Sequence, residues 1–167
     1  MMAQMTKKDI EKIQEEIRYR KTVLRPELLE RLKAARSLGD LSENFEYSMA
    51  KRENNRNNSR VRYLENMIRF AKIIEEDTNP DEAGLGKLVT VYIPEDDAEE
   101  RYKLVTSIRG DSVQGRISTD SPMGRALVGR HMGDEVTVKV NDAYSYVVKI
   151  VRIEDAPDDN SDAIRQF

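Results

Sequence analysis

The 167-residue sequence contains no cysteine, no tryptophan and a single histidine, His131. The absence of cysteine excludes a disulfide framework, a thiol nucleophile and a cysteine-based zinc site. One histidine, expected on a surface loop, leaves little room for a histidine-ligated metal or a Ser-His-Asp triad. No apolar run reaches the length of a membrane span or of the hydrophobic part of a signal peptide, so we expect a soluble, cytoplasmic protein.

Charged residues are plentiful and unevenly distributed along the chain. Asp, Glu, Lys and Arg make up 35% of the residues, and hydrophobic residues make up 38%, which favours a long solvated helical element over one thick core. Residues 1–76 carry 17 Lys and Arg against 13 Asp and Glu, whereas residues 77–167 carry 11 against 18. The first part can approach phosphates and the second is repelled by them, so we predict two functionally distinct parts.

The first part of the chain has helical periodicity and predicts an antiparallel helical hairpin, a coiled-coil arm over residues 1–76. The first helix is expected to begin at a capping box near Thr6, to kink or restart at Pro26, and to close at Gly39. A second helix is predicted from about Ser42 to about Glu76, and two long helices joined by few residues must run antiparallel. At about 1.5 Å per residue, roughly 30 residues give an arm about 45 Å long.

One stretch of the second predicted helix, KRENNRNNSR (Lys51–Arg60), contains no apolar residue. Its asparagines are poor helix formers. Counted back from the turn, the stretch should lie opposite the Arg25–Leu32 region, beside the predicted kink. We therefore predict that the arm is loosest there.

After a polar linker, residues 77–86, the hydrophobic period changes to two, which is typical of strands. Five segments have this period, and Gly, Asp and Asn turns separate them. Ser121, followed by Pro122 at the first turn, predicts one short helix. Residues 87–153 are therefore predicted to form a small antiparallel sheet domain with one helix, which gives an α+β fold. The acidic tail, residues 154–167, is expected to be disordered.

The turn between the predicted helices reads GDLSENFEY (Gly39–Tyr47) and places Asp40, Glu43 and Glu46 at positions i, i+3 and i+6. Helix capping explains part of this pattern. Asp40 and Glu43 fit a capping box, Ser42 is an alternative N-cap, and acids are favoured near a helix N-terminus. A cap needs only one or two of these acids, however, so the pattern leaves room for a second role.

Two features of this turn favour a site over a simple cap. Leu41 and Phe45 add apolar side chains at the end furthest from any core, and like charges one helical turn apart repel each other. Paired carboxylates at a protruding turn supply oxygens for a hard divalent cation, but too few to complete its shell. The missing ligands would come from another molecule.

The stretch GDLSENFEY, with AARS before it and MAK after it, resembles the tip motif of the bacterial Gre-type transcript cleavage factors, whose pattern is close to GDLSENAEY. A second stretch, SPMGRALVGRHMGDEVTV (Ser121–Val138), resembles the C-terminal signature of the same family. The two motifs stand in the family's order, and the resemblance covers nearly all of residues 5–153. It implies an N-terminal antiparallel coiled coil and an FKBP-like C-terminal domain.

The resemblance also implies a function. In this family the C-terminal domain docks at the rim of the secondary channel of bacterial RNA polymerase, and the coiled coil enters the channel. Asp40 and Glu43 match the acids that help to hold a second Mg²⁺ and orient a water. The expected reaction is hydrolysis of backtracked nascent RNA, which restores an extendable 3′ end. The protein is thus expected to stimulate the polymerase, not to be an enzyme itself, and to bind no Mg²⁺ tightly when free.

Further residues match regions that the family uses for contacts. A basic patch near the extruded RNA is matched by Arg36, Lys51 and Arg52. A solvated helix face with i, i+4 ion pairs is the alternative for these residues. A polymerase-docking motif is matched by Asp120, Ser121 and Pro122. Capping of the short helix is the alternative there, and both roles are compatible.

Three other functions remain open. The first is a channel-binding relative that regulates without cleavage: retention of Asp40 and Glu43 argues against it, whereas Phe45, which stands where the family pattern has Ala, keeps it open. A peptidyl-prolyl isomerase or chaperone would fit an FKBP-like fold, but fold alone does not carry that function, and residues 87–153 offer only four tyrosines as aromatics. A helical dimerisation module needs an apolar seam that Lys51–Arg60 breaks, so we expect a monomer.

Overall fold

A computed structural model describes residues 3–39, 44–76, 79–156 and 161–166. The chain divides into two compact units. The arm is Ile10–Ala71, and the sheet unit combines Met1–Asp9 with Lys72–Phe167. None of the helices within the described ranges is long and apolar enough to cross a membrane.

Three helices and one irregular segment account for most of residues 7–69. They are α1 (Lys7–Tyr19), a π-helical segment (Arg20–Leu24), α2 (Arg25–Arg36) and α3 (Phe45–Arg69). Helix α1 begins where predicted, because Thr6 and Asp9 form a capping box. The Thr6 N–H donates to Asp9 Oδ2 at 2.9 Å, and the Asp9 N–H donates to Thr6 Oγ1 at 3.1 Å.

The predicted interruption at Pro26 takes the form of the π-helical segment. Pro26 lies in the first turn of α2, directly after that segment. A proline removes one backbone donor and crowds the carbonyl four residues earlier, and a π-helical turn is one way for a helix to absorb such an irregularity. Here the Arg25 N–H donates to the Arg20 carbonyl, five residues back.

Helix α3 runs antiparallel to the first helical stretch, which confirms the predicted hairpin. Contacts across the arm join residues in reversed chain order: Glu16 with Arg60, Arg20 with Asn57, and Arg31 with Glu53. A narrow line of apolar side chains is buried within the arm: Ile13, Leu28, Ala35, Ala50, Val61 and Leu64. Helix α3 is also unbroken through the asparagine-rich stretch Lys51–Arg60.

Helix α3 is shorter than predicted at both ends, since it begins at Phe45 and ends at Arg69. At the C-terminal end, the Phe70 N–H donates to the Asn66 carbonyl at 3.1 Å. The chain then forms a two-residue strand β2 (Lys72–Ile73), which pairs in parallel with β1 (Gln4–Met5). The prediction of a helix to Glu76 was wrong. Strand β2 pairs with residues near the start of the chain, and the sequence around residues 70–76 contains no pattern that indicates this pairing.

The sheet unit contains one five-stranded sheet with the order β5-β4-β3-β7-β6. Its strands are β3 (Lys87–Ile93), β4 (Ala98–Val105), β5 (Arg116–Ser118), β6 (Glu135–Lys139) and β7 (Ser145–Asp155). Pairings β3–β4, β3–β7 and β6–β7 are antiparallel, as predicted, but β5 pairs in parallel with β4. The sheet is therefore mixed. The connection between β4 and β5 includes two short 3₁₀ turns, Ser107–Arg109 and Ser112–Gln114, and a parallel pair cannot be joined by a two-residue hairpin.

One face of the sheet is covered by the short helix α4 (Pro122–Leu127). Strand β3 alternates between buried and half-buried residues, as expected for a strand with one face in a core. The close approach of α4 requires a glycine, because a Cβ at Gly124 would lie 2.0 Å from the Ser118 carbonyl oxygen. The core consists mainly of aliphatic side chains: Val89, Val91, Leu104, Leu127, Val136, Val138, Val148 and Ile150.

Two segments outside the strands also pack onto the sheet unit. Ala83 is fully buried, and its N–H donates to the Arg130 carbonyl at 2.8 Å. Ile164 is buried as well, so this side chain of the tail packs within the sheet unit, and the predicted disorder of the tail stays a prediction. His131 is exposed on the loop after α4, as predicted.

Candidate functional site

The first candidate site is the end of the arm, where the chain passes from α2 to α3. Gly39 has a φ of +112°, a backbone conformation that favours glycine, and this agrees with its predicted role after α2. The predicted catalytic and metal-binding residues Asp40 and Glu43 lie outside the described residues. The described ends of the turn, Gly39 and Asn44, define its two flanks.

Asn44 is the residue that caps α3. Its Oδ1 accepts the Tyr47 N–H at 3.0 Å, and its Nδ2 donates to the Ala35 carbonyl at 2.6 Å. The predicted N-caps, Asp40 or Ser42, were wrong for this helix, since it begins only at Phe45. One amide side chain therefore caps α3 and ties it to the last turn of α2.

Sequence reasoning missed Asn44. Asparagine is among the preferred N-cap residues, and Asn44 stands within the motif itself, so a signal was present. Asp40 and Ser42 offered competing N-caps, and the choice among them depends on where α2 ends. The bond to the Ala35 carbonyl joins residues nine positions apart and has no local signature.

The predicted basic patch is partly assembled next to this turn. The Arg36 guanidinium stands over the Tyr47 ring, 5.7 Å from its centroid, and its Nη2 donates to the Tyr47 hydroxyl at 3.4 Å. This hydrogen bond lowers the pKa of Tyr47 below its ordinary value, and the charge of Lys51 acts in the same direction. Arg36 therefore stands over the Tyr47 ring, and Lys51 lies four residues after Tyr47 on the same side of α3. Arg52 lies roughly 100° further around α3 than Lys51 and does not join them there.

Apolar side chains are exposed on the same end of the arm. Phe45 is 74% exposed and Leu38 is 66% exposed. Together with Met49 they border a shallow groove between α2 and α3, whose floor includes Ala35 and Ala50. The predicted apolar character of the tip is therefore confirmed for Phe45, whereas Leu41 lies outside the described residues.

The second candidate site is the docking corner, which we define as Asp120, Ser121 and Pro122. Ser121 caps α4, since its Oγ accepts the Gly124 N–H at 3.0 Å and donates to the Ser118 carbonyl at 2.6 Å. Asp120 and Pro122 are exposed on either side of it. The predicted capping role is confirmed, and it presents the other two residues at the surface.

Carboxylate oxygens are the donors that this chain offers to a hard metal ion. Among the residues that the structure describes, no group of three or more His, Cys, Asp or Glu side chains is placed to hold an ion. Asp40 and Glu43 carry the oxygen donors that Mg²⁺ prefers, and one or two carboxylates are what a protein usually contributes to its shell. The two side chains therefore have the donor chemistry that an Mg²⁺ ion takes from a protein.

The chain thus combines a helical arm, with an acid-rich sequence between its helices, and a small mixed sheet unit. Family models match both parts: "Transcription elongation factor, N-terminal" over residues 3–73 and "Transcription elongation factor, GreA/GreB, C-term" over residues 77–155. The chain belongs to the GreA/GreB family of transcription elongation factors. It is an accessory factor of transcription and not an enzyme in its own right.

Individual relatives agree with this assignment. The chain is 50% identical over 151 residues to transcription elongation factor GreA of Geobacillus kaustophilus, covering 90% of this chain and 95% of that protein. It is 49% identical over 150 residues to GreA of Bacillus subtilis, covering 89% and 94%. The crystal structure of GreA factor homolog 1 (Gfh1) of Thermus thermophilus is 22% identical and covers 92% of this chain and 99% of that one, with a TM-score of 0.43. A TM-score at that level supports no conclusion about this chain.

Proposed function

We propose that the chain acts in the cytoplasm as a monomer that binds bacterial RNA polymerase and inserts its arm into the secondary channel. There it stimulates hydrolytic cleavage of backtracked nascent RNA near the 3′ end. The observation that carries this proposal is the position of the Gly39–Tyr47 motif. It spans the turn between two antiparallel helices, at the end of an arm whose helix α3 has 25 residues and is therefore about 37 Å long.

The proposed chemistry depends on two carboxylates of the turn. Asp40 and Glu43 donate oxygens to an Mg²⁺ ion shared with the polymerase and orient a water toward the RNA phosphate. When bound, Mg²⁺ lowers the pKa of its coordinated water and neutralises charge on the phosphodiester. Asn44 fixes the flank of the turn next to these acids by bonding both α2 and α3, and a site is more precise when its support is rigid.

The remaining predicted residues have supporting roles in this proposal. Positive charge near the turn attracts the phosphates of the extruded RNA 3′ segment, and it is supplied by Arg36, Lys51 and Arg52. The docking corner contacts the rim of the channel through exposed Asp120 and Pro122. Ser121 holds both in place by capping α4.

The proposal is tested by RNA release from backtracked bacterial elongation complexes in the presence of Mg²⁺. We expect the intact protein to accelerate release, and Asp40→Asn or Glu43→Gln to lower the rate by about 100-fold or more, as losses of catalytic groups typically do. Glu46→Gln is the matched control, since it removes an acid of the same motif from the first turn of α3. Equal rates for all four proteins, with polymerase binding intact, would contradict the proposal.

A second candidate function is occupation of the channel without cleavage. The exposure of Phe45 directly after the capping residue favours it, because a large apolar side chain beside the turn can pack on the polymerase and hold the acids away from the metal. In the same assay this function predicts tight binding with no RNA release, and release restored by Phe45→Ala.

A further inference from the structure

The C-terminal segment 161–166 lies beside the docking corner. Residues Ala163–Gln166 line an open groove together with Ser118, Asp120 and Ser121. The segment is attached by the buried side chain of Ile164 and by the Arg165 N–H, which donates to the Ile108 carbonyl at 2.5 Å. The tail thus shares a surface with the residues proposed to contact polymerase.

Asp162 connects this segment to three cationic side chains. Its Oδ2 lies 2.7 Å from Lys103 Nζ, and its Oδ1 lies 3.6 Å from Arg116 Nη1. Arg109 Nη1 donates to the Asp162 backbone carbonyl at 3.3 Å. The Lys103, Arg116 and Asp162 side chains are only 15–19% exposed, so this contact is partly shielded from water. Residues 77–167 have an excess of acidic residues. Within them, this cluster of three cationic side chains is a site that can bind an acidic ligand.

The tail lies beyond the residues that the family model matches. The C-terminal family model ends at residue 155, whereas the docking corner and all three cations lie within it. Asp162 and Ile164 therefore lie beyond the residues that the family model matches, next to a surface formed by residues that it does match.

We propose that residues 161–166 are an internal ligand of the docking face, by which we mean the docking corner together with the groove beside it. In the free chain, Asp162 and Ile164 occupy a site that accepts an acidic residue and an aliphatic residue from an extended or helical segment of the polymerase, and polymerase binding displaces them. This inference rests on the proposed docking at Asp120–Pro122. The contact is suited to displacement, because one buried aliphatic side chain, the ion pairs of Asp162 with Lys103 and Arg116, and two hydrogen bonds must offset the conformational entropy of ordering the whole segment.

The first experiment measures the affinity of the full-length chain for polymerase. The variant Asp162→Asn/Ile164→Ser removes both contacts of the tail, and Asp142→Asn/Val140→Ser is its control, with an exposed acid and a half-exposed valine of the same unit. We expect the tail variant to bind about tenfold more tightly, because a larger fraction of molecules has an open docking face. The control should bind like the unchanged chain.

The second experiment tests the contact without polymerase. A fluorescent peptide with the sequence SDAIRQF (residues 161–167) is titrated with the full-length Asp162→Asn/Ile164→Ser chain, and the peptide SNASRQF is the control. We expect saturable binding of the first peptide, little of the second, and displacement of the first by polymerase. Thermal unfolding is used to check that the sheet unit of the variant is folded. If that unit is unfolded, the single variant Asp162→Asn takes the place of the double variant.

The outcomes separate the two proposals. Peptide binding with unchanged polymerase affinity overturns the internal ligand and leaves the tail as a structural strap. Loss of peptide binding also overturns it. Absence of polymerase binding by every variant, with peptide binding intact, overturns the proposed function and therefore the displacement, but leaves the intramolecular contact standing.

Discussion

Asn44 shows how one side chain can determine the geometry of a functional turn. An amide offers both an acceptor and a donor, and Asn44 uses the acceptor to cap α3 and the donor to reach the Ala35 carbonyl at the end of α2. An ionised aspartate at this position would supply acceptors alone. The Asn44 side chain therefore links α2 and α3, the two helices that flank Asp40 and Glu43 in the sequence.

We predict that Asn44→Ala destabilises the arm by about 1–2 kcal/mol, since it removes an N-cap and a second hydrogen bond. Asn44→Asp keeps the cap and should lose about half of that amount. Urea unfolding followed by far-ultraviolet circular dichroism measures both values. If the turn depends on this link, both variants release RNA more slowly while binding polymerase normally. An unchanged unfolding midpoint for Asn44→Ala would refute the role.

At the scale of elements, the arm is held by a polar network next to the π-helical segment. Glu16 accepts from Arg20 Nε at 2.9 Å and from Arg60 Nε at 3.0 Å. Arg20 Nη1 donates to Asn57 Oδ1 at 3.0 Å, and Asn57 Nδ2 donates back to the Arg20 carbonyl at 3.2 Å. Asn57 is only 3% exposed. The asparagine-rich stretch predicted to be loose thus supplies a buried partner for the irregular backbone of the facing helix.

This network makes the stability of the arm dependent on pH. Burial by itself raises the pKa of Glu16, but hydrogen bonds from Arg60 and Arg20 outweigh it and lower the pKa below its ordinary value. A carboxyl with a lowered folded-state pKa stabilises the fold above its unfolded pKa of about 4.3, and this contribution is lost as the pH falls through the lower folded value.

We predict that Glu16→Gln lowers the free energy of unfolding by about 1–2 kcal/mol at pH 7, because bonds to the two guanidiniums lose their charge. The difference from the unchanged chain should shrink as the pH falls from about 5 to about 3. Urea midpoints at three pH values measure it, and exposed Glu15 provides the control Glu15→Gln. A difference that stays constant over this range would contradict the assignment.

The boundaries of the elements show what the sequence can and cannot predict. The capping box at Thr6, the interruption at Pro26 and the cap at Ser121 depend on neighbours within four residues, and all three are present in the structure. The end of α3 depends on the pairing of Lys72 with Gln4. The burial of Asn57 likewise depends on Arg20, 37 positions away. Contacts between residues so far apart in the chain produce no periodic pattern in the sequence.

In the whole molecule, we propose that the arm and the sheet unit have different roles. The arm carries the acidic turn with Arg36 and Lys51 beside it, and the sheet unit carries the docking corner and the tail that borders it. The order of two motifs along the chain was enough to predict this division. The parallel pairing of β5 and the burial of Ile164 were not predictable, because both depend on how the β4–β5 connection and the tail pack on the sheet.

The central claim is that the arm donates carboxylates to a shared Mg²⁺ ion, and the Mg²⁺ dependence of RNA cleavage tests it most directly. Cleavage in backtracked complexes is measured over a range of Mg²⁺ concentrations, without protein, with saturating intact protein, and with saturating Glu43→Gln. Added ligands tighten metal binding, so we predict that the intact protein lowers the half-maximal Mg²⁺ concentration by about tenfold or more. Glu43→Gln should reverse most of that shift. A half-maximal concentration that is the same with and without the intact protein would contradict the claim.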